Sequence, residues 1–169
     1  MAEENITTKF KLDISEFKKG ITEANQQIKE ANSVFNKATS GMDNWAKSSD
    51  GLKAKLDQLK STLDAQNKKL ESYQKQLQTA QKYEKEASSN VETLRKALDK
   101  AKATYGENSD EVKELSKQLS AAEKTEASLK SQVSNLTVTL NNQEAAVNKT
   151  GKEMGDLQSE LTKLEKDCS

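Results

Sequence analysis

From Leu52 to Tyr105 the apolar side chains recur in alternating steps of four and three residues. The series runs through Leu56, Leu59, Leu63, Leu70, Tyr73, Leu77, Ala80, Ala87, Val91, Leu94, Leu98 and Ala101, and only Gln66 and Glu84 interrupt it. Side chains spaced in this way fall on one narrow stripe of an α-helix, the seam of a coiled coil. The pattern predicts a long helix over about 50–105. With the a positions at multiples of seven, a second run continues from Val112 through Leu115, Leu119, Ala122, Leu129, Val133, Leu136 and Leu140 to Leu157, Leu161, Leu164 and Cys168. Glu126, Gln143 and Thr150 are its polar interruptions, and the expected helix covers 109–168. A shorter run of the same phase passes through Ile14, Phe17, Ile21, Ala24, Ile28, Ala31, Phe35, Ala38, Met42 and Trp45. It predicts a first amphipathic helix over 14–49, with weak points at Gly41 and Gly51 and a swivel near 47–51.

Between the long runs lies Gly106-Glu-Asn-Ser109. Gly106 suits the left-handed residue that ends a helix, and Asn108 with Glu111 three residues later reads as a capping box. Ahead of the first helix, Ile6, Thr8, Phe10 and Leu12 alternate with polar residues as in a short strand. Residues 1–13 are therefore expected to form an extended arm, with Asp13 or Ser15 capping the helix that follows and Glu16 placed as a capping box with Asp13 requires. The fold class expected is all-α, an elongated coiled coil over 50–168 preceded by a shorter helix.

Two arrangements fit the heptads. The unbroken phase across 105–112 allows one continuous rod, whereas a turn at 106–109 makes a hairpin. Charge favours the hairpin. The flanks of the seam carry Lys53, Lys55, Lys60, Lys69, Arg95 and Lys102 before the turn, and Glu111, Glu123, Glu144, Glu153, Glu160, Glu165 and Asp167 after it, with Lys130 the main exception. An antiparallel pair would place Lys53 near Glu165, Lys55 near Glu160 and Arg95 near Glu123. Each exposed pair contributes only ~0.2–1 kcal/mol, but several of one sense select the partner. The polar interruptions either set register, as buried polar groups on a seam do, or sit in hydrated layers that a thin coil tolerates.

Composition narrows the function. Of 169 residues, 33% are hydrophobic and 32% charged, too few apolar groups for a sphere but enough for a seam. The charges balance at 27 basic and 27 acidic residues, so there is no basic face of the kind nucleic acids require. Histidine is absent, and there is no Gly-rich phosphate loop, CxxC or Ser/His pairing. The expectation is a non-enzymatic chain without cofactor or metal, and without a membrane span or hydrophobic leader. Cys168 is the single cysteine and forms no internal disulfide. On the first helix Phe17, Ile21, Ile28, Phe35 and Trp45 are the candidate partner-binding residues, because a 52–168 hairpin leaves that helix without an obvious mate.

The segment Phe10-Lys-Leu-Asp-Ile-Ser-Glu-Phe-Lys-Lys-Gly-Ile21 resembles the opening of tail tape-measure proteins from long-tailed phages and prophages of Gram-positive bacteria. Ala31-Asn-Ser-Val-Phe35, the heptads of 52–60 and Tyr105-Gly-Glu-Asn-Ser-Asp-Glu-Val112 are similar too. The resemblance implies a structural role, with the chain lying in the tail tube and setting tail length during assembly. The implied partners are tail-tube and tail-assembly proteins, with homo-oligomer formation as an option. The implied location is the virion tail, and the host cytoplasm during assembly. About 155 residues of continuous helix would span about 230 Å, and a hairpin about half of that. Family members are usually several times longer, so this chain is expected to be an N-terminal part. A coiled-coil scaffold, or a regulatory arm of a bacterial cell-wall or cytoplasmic complex, is the alternative.

Overall fold

A computed structural model describes residues 2–168, and the side chains of residues 5–168. The protein is all-helical, with α1 (Ala2–Thr39), a 3-10 turn at Trp45–Lys47, α2 (Ser49–Tyr105) and α3 (Asp110–Asp167). The two long helices and the turn between them fall within a residue of their expected bounds. The described chain divides into two compact units, residues 2–16 with 74–138, and residues 17–73 with 139–168.

The expected extended arm is helix. Strand alternation would set Phe10 and Leu12 on one side, but Phe10 is buried and Leu12 is 67% exposed. Phe10 instead prolongs the heptad toward the N-terminus from Ile14 by one more step of four, and both bury their side chains. No strand exists among the described residues to pair with 6–12, so intrahelical bonds are the available way to satisfy its backbone. Asp13 consequently lies inside α1 and caps nothing. Met1, the first residue of the expected arm, lies outside the described residues.

The first break also differs from expectation. Helix α1 ends at Thr39, before Gly41, and a short connection with its own caps follows. The Asn44 side chain accepts a hydrogen bond from the backbone of Ala46, which starts the 3-10 turn. Ser48 then opens α2, its hydroxyl accepting from the Gly51 N–H at 2.8 Å. At the second break Gly106 has φ 87°, the left-handed conformation that glycine adopts without a Cβ penalty. The cap on α3 is Ser109 rather than Asn108. Its hydroxyl accepts from the Val112 N–H at 3.3 Å.

In the first unit, Leu98 and Ala101 of α2 pack with Val112, Leu115 and Leu119 of α3. On another side of α2, Tyr83 meets α1, its ring edge-on to Phe10 with centroids 5.9 Å apart. In the second unit, Leu52 and Leu56 pack with Leu157, Leu161 and Leu164 of α3, and Trp45 closes over that cluster. Here too α2 has a second occupied side. Gln27 of α1 donates to the Ser61 carbonyl at 3.1 Å and to Asp64 at 2.9 Å, and Gln58 donates to Asn32. Between these contacts Ala65 is fully buried.

Candidate functional site

The five residues expected to bind a partner all lie along α1 and its connection to α2, and all five are half-buried. Phe35 and Trp45 are brought together. Their rings meet edge-on, 5.2 Å between centroids and 87° between planes, a favourable quadrupolar geometry. The Lys55 ammonium sits 4.8 Å from the Phe35 centroid and 5.9 Å from that of Trp45, and it donates to Gln58 as well. Lys55 is thus drawn toward the aromatic corner, which replaces the expected pair with Glu160. The other two expected pairs form, Lys53–Glu165 at 3.2 Å and Arg95–Glu123 at 3.2 Å. All four side chains in them are about half exposed, so each pair is a weak contact that biases pairing.

Two of the seam's polar side chains, Glu126 and Gln143, have hydrogen-bond partners across or along it. In the first unit Glu126 accepts from the Ser88 hydroxyl at 2.9 Å and from the Lys130 ammonium at 2.9 Å. These two bonds, Lys130 first, hold the Glu126 carboxyl below the usual glutamate range, while Glu126 pushes Lys130 up and Glu84 adds to that effect. In the second unit buried Gln143 donates to the Gln66 carbonyl at 2.9 Å. The Gln66 side-chain oxygen and the Gln76 side-chain nitrogen are buried without hydrogen-bond partners, a desolvation cost that better-packed apolar residues would avoid.

Asp64, beside Gln27 and Lys68 of the second unit, is lowered by the hydrogen bonds from both. The Tyr83 hydroxyl donates to Asp13, and that bond, with burial, pushes the phenol up to about 12. Folding therefore favours the neutral phenol. Its contribution to stability is complete below the ordinary tyrosine value of 10 and is lost as pH rises from there to about 12. Unfolding free energy from urea denaturation is expected to fall across that window. Tyr83→Phe should remove Tyr83's share of this pH dependence, and an unchanged slope in that variant would place the titration elsewhere.

An open groove between α1 and α2 in the second unit is lined by Ala31, Val34, Phe35, Ala38, Ala54 and Asp57. Val34 there is 67% exposed. Among the described residues no group of three metal-ligating side chains occurs, and no helix is long and apolar enough to cross a membrane. Cys168 is free and exposed, although it occupies a seam position.

The second side of α2, where α1 docks, was not predicted. Its members Gln58, Ser72 and Tyr83 and the neighbouring buried Ala65 fall on c and g positions, outside the a/d count. The available signal was Tyr83, the one large apolar side chain of α2 off the a/d seam, with Ala65 as a weaker companion among the alanines that leave it. Comparison with protein-family models, with curated proteins and with solved structures finds no match.

Proposed function

We propose that α2 and α3 form an antiparallel coiled-coil hairpin and that the chain is a structural part of a phage tail tape measure. The hairpin reading is carried by the order of the contacts. In the first unit Arg95 meets Glu123 and Ser88 meets Glu126. In the second, Gln66 meets Gln143 and Lys53 meets Glu165. In each unit the α3 number rises as the α2 number falls, which is the signature of opposed chain directions. The tail role adds the resemblance of 10–21 and 105–112 to tape-measure proteins. It also suits a chain in which sequence length becomes helix length at about 1.5 Å per residue. Its partners in this reading are tail-tube and tail-assembly proteins, in the virion tail and, during assembly, in the host cytoplasm.

The test is an in-frame deletion of matched heptads from α2 and α3 in the gene as its phage carries it, with tails measured by electron microscopy. Tails are expected to stay uniform and to shorten by about 1.5 Å per deleted residue, or half of that if the hairpin stays folded. Unchanged tails, or virions that lack the chain by mass spectrometry, would overturn the tail role and leave the scaffold reading.

A further inference from the structure

We propose that the 106–109 turn is a hinge through which α3 is exchanged between two copies of this chain. The inference rests on the hairpin reading above. Its first support is phase. Leu98, Tyr105, Val112 and Leu119 are successive a positions seven residues apart, so straightening the turn would carry one heptad seam from α2 into α3 without a skip. A turn that only reversed the chain has no need to conserve that spacing.

The second support is the turn's exposure. Residues 102–108 are all exposed, and a Cβ placed on Gly106 would meet nothing within 4 Å. The bonds across the turn are local, from Gly106 N–H to the Lys102 carbonyl and from Ser109 N–H to the Gly106 carbonyl. Helical bonds would take their place in the open form.

The third support is Tyr105. It is a large aromatic on a seam position, yet 61% exposed, because the chain reverses immediately after it. In the open form the seam runs on past Tyr105, and a second copy lying antiparallel would cover it. That copy would reproduce between chains the contacts now made within one, including Arg95–Glu123 and the cluster of Leu98 with Val112 and Leu119. Exchange of an identical element reuses the existing α2–α3 contacts, adds only the cover over Tyr105, and needs a hinge that accepts both conformations. Closure within one chain is favoured at low concentration, and exchange gains as copies are crowded together.

The experiment places Arg95→Cys and Glu123→Cys in the full chain with Cys168→Ser, and treats it with a short bismaleimide over a range of concentrations. Dilute protein is expected to cross-link as a monomer, with a cross-linked dimer appearing as concentration rises. Adding Gly106→Ala and Asn108→Ala favours helix through the turn and should raise the dimer fraction at least tenfold at one concentration. Inserting two glycines after Gly106 breaks the phase and should abolish the dimer while keeping the cross-linked monomer. A chain that cross-links as a monomer at every concentration, with the helix-favouring turn included, overturns the hinge and leaves the hairpin standing. Absence of both cross-linked species would overturn the hairpin and the hinge with it.

Discussion

Gly51→Ala is expected to destabilise the protein, although helix propensity alone argues the opposite. Gly51 lies in the first turn of α2, where alanine would ordinarily gain up to ~1 kcal/mol. A Cβ at this position would stand 2.2 Å from the Trp45 carbonyl oxygen and 2.7 Å from two further backbone atoms of that residue. These atoms belong to the 3-10 turn, whose Asn44 and Ser48 ends are both hydrogen-bonded, so they cannot swing aside like a side-chain tip. The turn must shift as a body, and Trp45 must lift from Leu52, Leu56 and Leu161. Overpacking of this kind costs ~1–3 kcal/mol, and loss of tryptophan packing adds to it. The expected net loss is about 2 kcal/mol, read by urea denaturation followed through Trp45 fluorescence. Gly155→Ala is the control, since its Cβ would meet nothing within 4 Å. It should raise stability by up to ~1 kcal/mol. Equal effects at both positions would mean that the connection yields freely and that the close approach is without consequence.

Phe10→Ala is expected to cost about 3 kcal/mol in the first unit, within the range for truncating a buried aromatic. Phe10 is 2% exposed and lies against Tyr83, itself 4% exposed, and Ile14 in the same unit is 4% exposed. The truncation removes both the ring's burial and its edge-on contact, and leaves the Tyr83–Asp13 hydrogen bond less shielded from water. Hydrogen exchange read by mass spectrometry should show protection lost over residues 5–16 and retained over 20–35. The location of that loss is the sharper readout. An extended arm awaiting a strand on another molecule would show no protection over 5–16 in the parent protein, and Phe10→Ala would change nothing.

These two positions also show where sequence reading stopped. Period-two alternation with Ile6, Thr8 and Leu12 assigned Phe10 to a strand. Four residues of alternation are weak evidence, and Phe10 fits helical spacing from Ile14 equally well. The choice depended on a partner, and Tyr83, 73 residues further along the chain, supplies it. Gly51 was read as a weak point of a helix, since glycine costs conformational entropy there. Its close approach to Trp45 was invisible because it arises from the path of the intervening connection. Lys55 followed the same rule. Its charge predicted Glu160, but two aromatic faces brought near by α1 offered a competing site.

The sequence by itself determined the long helices, their bounds at the 106–109 turn, the glycine in left-handed conformation and two of the three expected ion pairs. These features are local or periodic. Helix, cap and seam each depend on residues within a few positions of one another, and charge sorting on the flanks is a sum over many residues that a single exception does not alter. Only the tertiary structure decided that α1 begins at Ala2 and docks along a second side of α2, where Ala65 and Tyr83 are buried. A side chain's environment off the seam depends on which distant segment covers it, and the heptad period carries no information about that.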